Sequence, residues 1–132
     1  AQGNFPMALD EGHRRLLIGS RNPPRLIALD AGSGKVVAEV PIGNDTDDLF
    51  YDAKRQRVYV SCGGGVMDVI QQRDADHYLR LASLPTAPGA RTSLFVPALD
   101  RLYLAVPRRG DQQAEIRVFQ PAPARRTEPA LN

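Results

Sequence analysis

The chain has 132 residues, 42% hydrophobic and 24% charged, with a net charge of +2. That is about one domain of ordinary globular composition, long enough to bury roughly two-thirds of its unfolded surface. A single cysteine excludes an intrachain disulfide framework, and no apolar run approaches the ~20 residues of a membrane-spanning helix. A charge of +2 is too weak to imply a nucleic-acid partner, which is not expected.

In chain order, the first apolar segment is Phe5–Leu9, closed by the polar turn Asp10–Arg14. Arg15–Ser20, Leu26–Leu29 and Lys35–Ile42 follow. The same order then returns, as Asp48–Tyr51, the turn Asp52–Gln56, Arg57–Cys62, Met67–Ile70 and His77–Leu84. It begins a third time with Ser93–Val96, the turn Pro97–Asp100, Arg101–Val106 and Ile116–Phe119. The second segments anchor the alignment: Arg15-Leu-Leu-Ile-Gly-Ser20, Arg57-Val-Tyr-Val-Ser-Cys62 and Arg101-Leu-Tyr-Leu-Ala-Val106 start 42 and 44 residues apart.

The segments are short, rich in Val, Ile, Leu, Tyr and Phe, and bounded by Gly, Pro, Asn and Asp, which predicts strands. No window carries a helical stripe of useful length. The second segment of each repeat is apolar on both faces, so it should lie inside stacked sheets. Four short strands in about 43 residues form the blade of a β-propeller. The expected fold is all-β: a partial, three-blade propeller of four-stranded antiparallel blades at about 4–45, 46–90 and 91–120. Prolines after Phe119 oppose a fourth strand in the last blade, and 121–132 is expected to be a flexible tail carrying Arg125 and Arg126.

Leu26-Ile-Ala-Leu-Asp-Ala-Gly-Ser-Gly-Lys-Val-Val-Ala-Glu-Val-Pro-Ile-Gly43 resembles the third strand, Asp-bearing turn, fourth strand and closing Gly of the YVTN-type β-propeller repeat. Arg57–Ser61 is similar to that repeat's second strand. The likeness extends over residues 4–120, with Gln71 and Gln120 standing where the first repeat has Asp30. It implies an extracytoplasmic binding scaffold, periplasmic or secreted.

Closed propellers have four to eight blades, so three leave an arc with two bare sheet faces. Either the chain is part of a longer one, or two copies join as half-propellers, blade 1 of each against blade 3 of the other, closing a six-bladed ring.

Chemical motifs are few. Asn44–Asp48 is the densest acidic cluster, but it lacks the Gly and the Glu of an EF-hand loop. Gly32-Ser-Gly-Lys35 lacks the spacing of a phosphate loop and reads as a hairpin turn. Gly63-Gly-Gly65 precedes a strand, not a helix, and reads as a loop with unusual backbone angles. His13 and His77 fall in a turn and at a strand start, both surface positions, and build no catalytic triad. Cys62 reads as a small buried hydrophobe. Asp68 and Arg117 occupy equivalent places where the first repeat has Ile27, which suggests a partly exposed blade face or an inter-blade ion pair.

The expected function is non-catalytic: a scaffold for a protein partner or a small polar ligand, with no catalytic residue, metal or cofactor. The alternative is a metal-dependent hydrolase or lactonase-like propeller with its site at the channel mouth. Loops after the second and fourth strands should share one face of the arc. Asp47, Asp48, Arg91, Thr92, Arg21 and Arg108 are the candidate binding residues there, because spare polar groups on a rigid frame are where binding usually resides. The competing reading is an Asp48–Arg91 ion pair tying two blades together.

Overall fold

The computed structural model describes residues 1–123, without the side chains of Asn4 and Phe5. Positions 124–132 of the expected tail lie outside the described residues. Each repeat becomes an antiparallel meander. The first sheet is β1 (Gln2–Asp10), β2 (Arg15–Asn22), β3 (Pro24–Asp30) and β4 (Val36–Pro41). The second is β5 (Thr46–Asp52), β6 (Arg57–Cys62), β7 (Val66–Asp74) and β8 (His77–Pro85). The third has three strands, β9 (Thr92–Val96), β10 (Arg101–Val106) and β11 (Glu115–Phe119). These eleven strands are the expected all-β arc, with the last blade lacking its outer strand among the described residues.

The first hairpins close by a shared device. Asp10 and Asp52 each accept the backbone N–H three residues on, at 3.2 Å in both cases. Arg14 and Gln56 then take left-handed backbone angles, which let the chain reverse. In the third blade Val96 stands at the Asp position, and a 3-10 turn at Pro97–Leu99 does the work instead, ending on a left-handed Asp100.

Register decides what each face meets. Leu17 pairs with Ala28, Gly19 with Leu26, and Leu26 with Val40, all on one face of the first sheet. That face packs on Leu49, Val58, Val60, Cys62 and Ile70 of the second. The second sheet's other face packs Tyr59 and Met67 on Phe95 and Leu102 of the third, with the Tyr59 and Phe95 rings edge-on at 5.2 Å. Leu104 and Val106 cluster with Ala87 and Ala90 of the β8–β9 link.

Burial of the second strands differs from the sequence expectation. All six residues of β6 are buried. Strands β2 and β10 bury one face and leave the other partly open, because each belongs to an end blade. The free face of the first sheet carries Met7, Leu9, Leu16, Ile18 and Val36; that of the third carries Leu94, Tyr103, Ile116 and Val118. Met7, Leu9, Val36, Leu94, Ile116 and Val118 are all more than half exposed.

Polar bonds, some buried and some exposed, tie each blade to the next at the hairpin end. Gln72 of β7 donates to Asp10 of the first blade at 2.7 Å and accepts from Tyr51 at 2.6 Å. Arg15, which opens β2, reaches Asp76 in the β7–β8 turn at 2.6 Å. Arg57, which opens β6, donates to the carbonyls of Ala122 and Pro123 just past the third blade, at 2.7 and 3.1 Å. Arg101, which opens β10, bonds the carbonyls of Leu99 and Asp100 in its own turn. Arg55 is clamped between Asp52 and Asp100, and the paired guanidinium holds the Asp100 carboxyl down to about 2.

Candidate functional site: a loop rim across three blades

The loops after second and fourth strands do share one end of the arc, and a backbone ladder runs across them. Gly63 N–H donates to Asp45 at 2.7 Å and Gly64 N–H to Asn44 at 3.0 Å, joining the β6–β7 loop to the β4–β5 link. Gly89 N–H donates to Gly63 at 2.7 Å, joining the β8–β9 link to the same loop. The Gln112 amide then reaches the carbonyls of Pro88 and Pro107, bringing in the β10–β11 loop.

Two glycines permit this close stacking for different reasons. Gly65 has φ +107°, a conformation side chains rarely adopt. Gly63 has no such angle; a Cβ there would collide with the Asp45 carboxylate. The triple glycine is therefore only in part a matter of unusual backbone angles, and close approach accounts for the rest.

Asp45 is the hub, and the sequence reading did not single it out. Arg91 donates to its Oδ2 at 2.9 Å, and Arg21 stands 3.5 Å from its Oδ1. Arg21 also donates to the Thr46 carbonyl at 2.9 Å and lies 3.3 Å from Asp47. Blade 1, the link to blade 2 and the entry to blade 3 thus meet at one carboxylate. Asp45 takes left-handed backbone angles (φ 61°) next to Asn44, as Asp and Asn tolerate in tight turns.

Asp48 and Arg91 do not pair with each other. Asp48 instead accepts the Ser93 N–H at 2.7 Å, fastening β5 to β9. Partial burial raises its pKa, a cost that the Ser93 bond only partly offsets. Thr92 is exposed at the start of β9. Arg108 lies apart, beside Gly110, Asp111 and Gln112 in the β10–β11 loop. Of the six candidates, Arg21, Asp47 and Arg91 converge on the Asp45 corner, Asp48 ties down the neighbouring strand, and Thr92 and Arg108 join neither.

Neither Asp68 nor Arg117 forms an inter-blade ion pair, and only Arg117 lies on a partly exposed face. Asp68 is fully buried on the face toward blade 1, where its Oδ2 accepts the Gly43 N–H at 2.7 Å. Arg117 pairs with Glu115 on its own strand at 2.8 Å. Cys62 is fully buried, and burial pushes its thiol up to about 12, so it is no nucleophile at neutral pH. His13 bonds Asp10 at 2.8 Å and His77 bonds Asp74 at 2.7 Å, each three residues apart at a hairpin end remote from the rim. Among the described residues, no three His, Cys, Asp or Glu side chains are grouped to hold a metal ion, and no helix is long and apolar enough to cross a membrane.

No family profile and no curated protein sequence matches the chain. Solved structures do. A chain of Kuenenia stuttgartiensis hydrazine synthase superposes with a TM-score of 0.75 at 16% identity, over 89% of this chain and 34% of that one. A provisionally assigned 6-phosphogluconolactonase from Bacteroides uniformis gives 0.71 at 14% identity, over 91% and 37%. The Swd1 β-propeller domain of Myceliophteria thermophila gives 0.66 at 11% identity, over 89% and 43%. This chain spans between 34% and 43% of the length of those chains. The likeness is one of fold: the chain is an arc of a β-propeller.

Proposed function

We propose that the chain is a non-catalytic binding scaffold, a half-propeller of the YVTN-like kind whose ring is completed by a second copy. The observation that carries this reading is the pair of bare apolar faces, Met7, Leu9 and Val36 at one end and Leu94, Ile116 and Val118 at the other. Apolar patches of this kind on a folded domain mark surfaces that associate. Blade 1 of each copy set against blade 3 of the other covers all four faces under one two-fold axis. A protein partner or small polar ligand is then held at the loop rim, in a periplasmic or secreted setting. The lactonase-like alternative has less support, since the rim carboxylates Asp45, Asp47 and Asp48 are occupied by Arg21, Arg91 and the Ser93 N–H.

Sedimentation tests the ring. The expected result is a mass twice 14.4 kDa, reduced to the single-chain mass by Leu94→Asp or Val118→Asp. A soluble 14.4 kDa monomer at high concentration overturns self-association and leaves the remaining blades to a longer chain.

A further inference from the structure

The β10–β11 loop differs from the rest of the rim in what it leaves unused. Arg109 and Gln112 exchange both backbone hydrogen bonds, at 3.0 and 2.7 Å, so Gly110 and Asp111 form a two-residue turn at the tip. Gly110 leads that turn with φ +52°, and nothing lies within 4 Å of where its Cβ would be. The turn is braced from behind. The Gln112 amide donates to the carbonyls of Pro88 and Pro107 at 3.1 and 2.8 Å, and the Arg109 side chain leans over Gly89. Arg109, Gly110 and Asp111 are all exposed.

Elsewhere the acids are occupied. Every other described aspartate makes a side-chain hydrogen bond or ion pair; Asp111 makes none, and neither does the Arg109 guanidinium. Glu115 and Arg117, also two residues apart, pair at 2.8 Å because a strand sets them on one face. Arg109 and Asp111 are divided by a turn glycine and do not pair. The sequence Arg109-Gly110-Asp111 thus holds one free cation and one free anion on a fixed turn.

We propose that this turn is a recognition element for a receptor protein, which takes the Asp111 carboxylate on a divalent cation with an open coordination position and the Arg109 guanidinium in an acidic pocket. Carboxylate oxygens are preferred protein ligands of Mg²⁺ and Ca²⁺. A guanidinium fork matches the geometry of a carboxylate. A uniformly basic surface would repel Arg108 and Arg109, and a uniformly acidic one would repel Asp111, so the partner must carry both features side by side. A braced turn presents both groups with little ordering left to lose on binding. The proposal rests on the rim being the binding end of a secreted scaffold. It does not rest on ring closure, so the test below and sedimentation fail independently.

The probe is an immobilised integrin ectodomain in Mg²⁺ buffer, because its ligand site combines a divalent cation with an acidic pocket. The full chain is flowed over it in surface plasmon resonance. Saturable binding is expected, lost in EDTA and competed by a linear Arg-Gly-Asp peptide. Arg109→Ala and Asp111→Ala should each weaken it about tenfold or more. Asp111→Glu keeps the charge but moves the carboxylate by one methylene, and should weaken it too. Arg80→Ala, on the exposed strand β8, should leave it unchanged. All four positions are exposed or at a turn tip, so the melting temperatures should match the parent chain. Absence of binding, or binding that survives EDTA or Asp111→Glu, overturns the proposal and leaves the scaffold reading to its own test.

Discussion

Strands β6 and β2 are near-equivalents in sequence, both opening on Arg and both apolar on their two faces, yet one is buried throughout and the other on a single face. The difference lies in the neighbours: β6 has a blade on each side, and β2 and β10 have one each. Double apolarity alone therefore does not decide burial; the number of neighbouring blades does.

The sharpest way to test that contrast is to cut the same methylenes from covered and open faces. Leu17, fully buried between blades, should lose about 2–5 kcal/mol on replacement by Ala, read from urea unfolding. Leu9, 56% exposed on the free face, should lose far less in a monomer. If Leu9→Ala costs as much as Leu17→Ala, the face is covered in solution, and the cost should then fall on dilution.

A smaller effect is expected where backbone meets side chain between blades. A Cβ on Gly43 would collide with Val66 and crowd Cys62 at 3.1 Å, inside the packed first interface. Gly43→Ala should cost about 1–3 kcal/mol, because these side chains have little room to yield. Gly34, with nothing within 4 Å of its would-be Cβ, meets no clash but has φ +75°, so Gly34→Ala reports backbone strain alone.

Asp100 in its hairpin turn and Asp48 near the rim should answer pH with opposite signs. Asp100, held down to about 2 by Arg55, contributes stability that is present above the ordinary carboxylate pKa and lost as pH falls toward 2. Asp48 is raised by burial, so its charged form is the costly one, and acidification through its folded pKa relieves that cost. Asp100→Asn should therefore lower the melting temperature at pH 7 and flatten its fall in acid. Asp48→Asn should leave the pH 7 melting temperature equal or higher, and a clear drop would mean that the charge on the Ser93 bond matters more than its burial.

The smallest effect belongs to the rim. Arg91 and Asp45 are 43% and 38% exposed, so Arg91→Ala should change stability by no more than about 1 kcal/mol. A larger loss would mark the Asp45 corner as a joint between blades 1, 2 and 3, whereas unchanged stability with altered ligand binding would mark it as a site.

The repeat was readable because strand burial, turn residues and spacing all recur, and each strand's periodicity is local to a few residues. The strands proved longer than their apolar segments: β1 begins at Gln2 and β7 runs to Asp74, since backbone pairing continues past the last hydrophobic contact. The rim was readable only as a set of loops. Which acid meets which base depends on how links from different blades cross, and composition could not distinguish Asp45 from Asp47 or Asp48. Asp68 was misread for a related reason: a lone charge in an apolar strand suggests exposure, while its partner is a backbone amide, Gly43, that has no signature in the side-chain pattern.

The arginines that open the second strands give the arc a direction. Arg15 reaches forward into blade 2 and Arg57 forward past blade 3, while Arg101, with no blade ahead of it, folds back onto Leu99 and Asp100. The molecule thus has a donor end and an acceptor end, like a link with a hook on one side and an eye on the other. A blade added beyond the third in the same sense would place its own third-to-fourth-strand turn before Arg101, as Asp76 lies before Arg15.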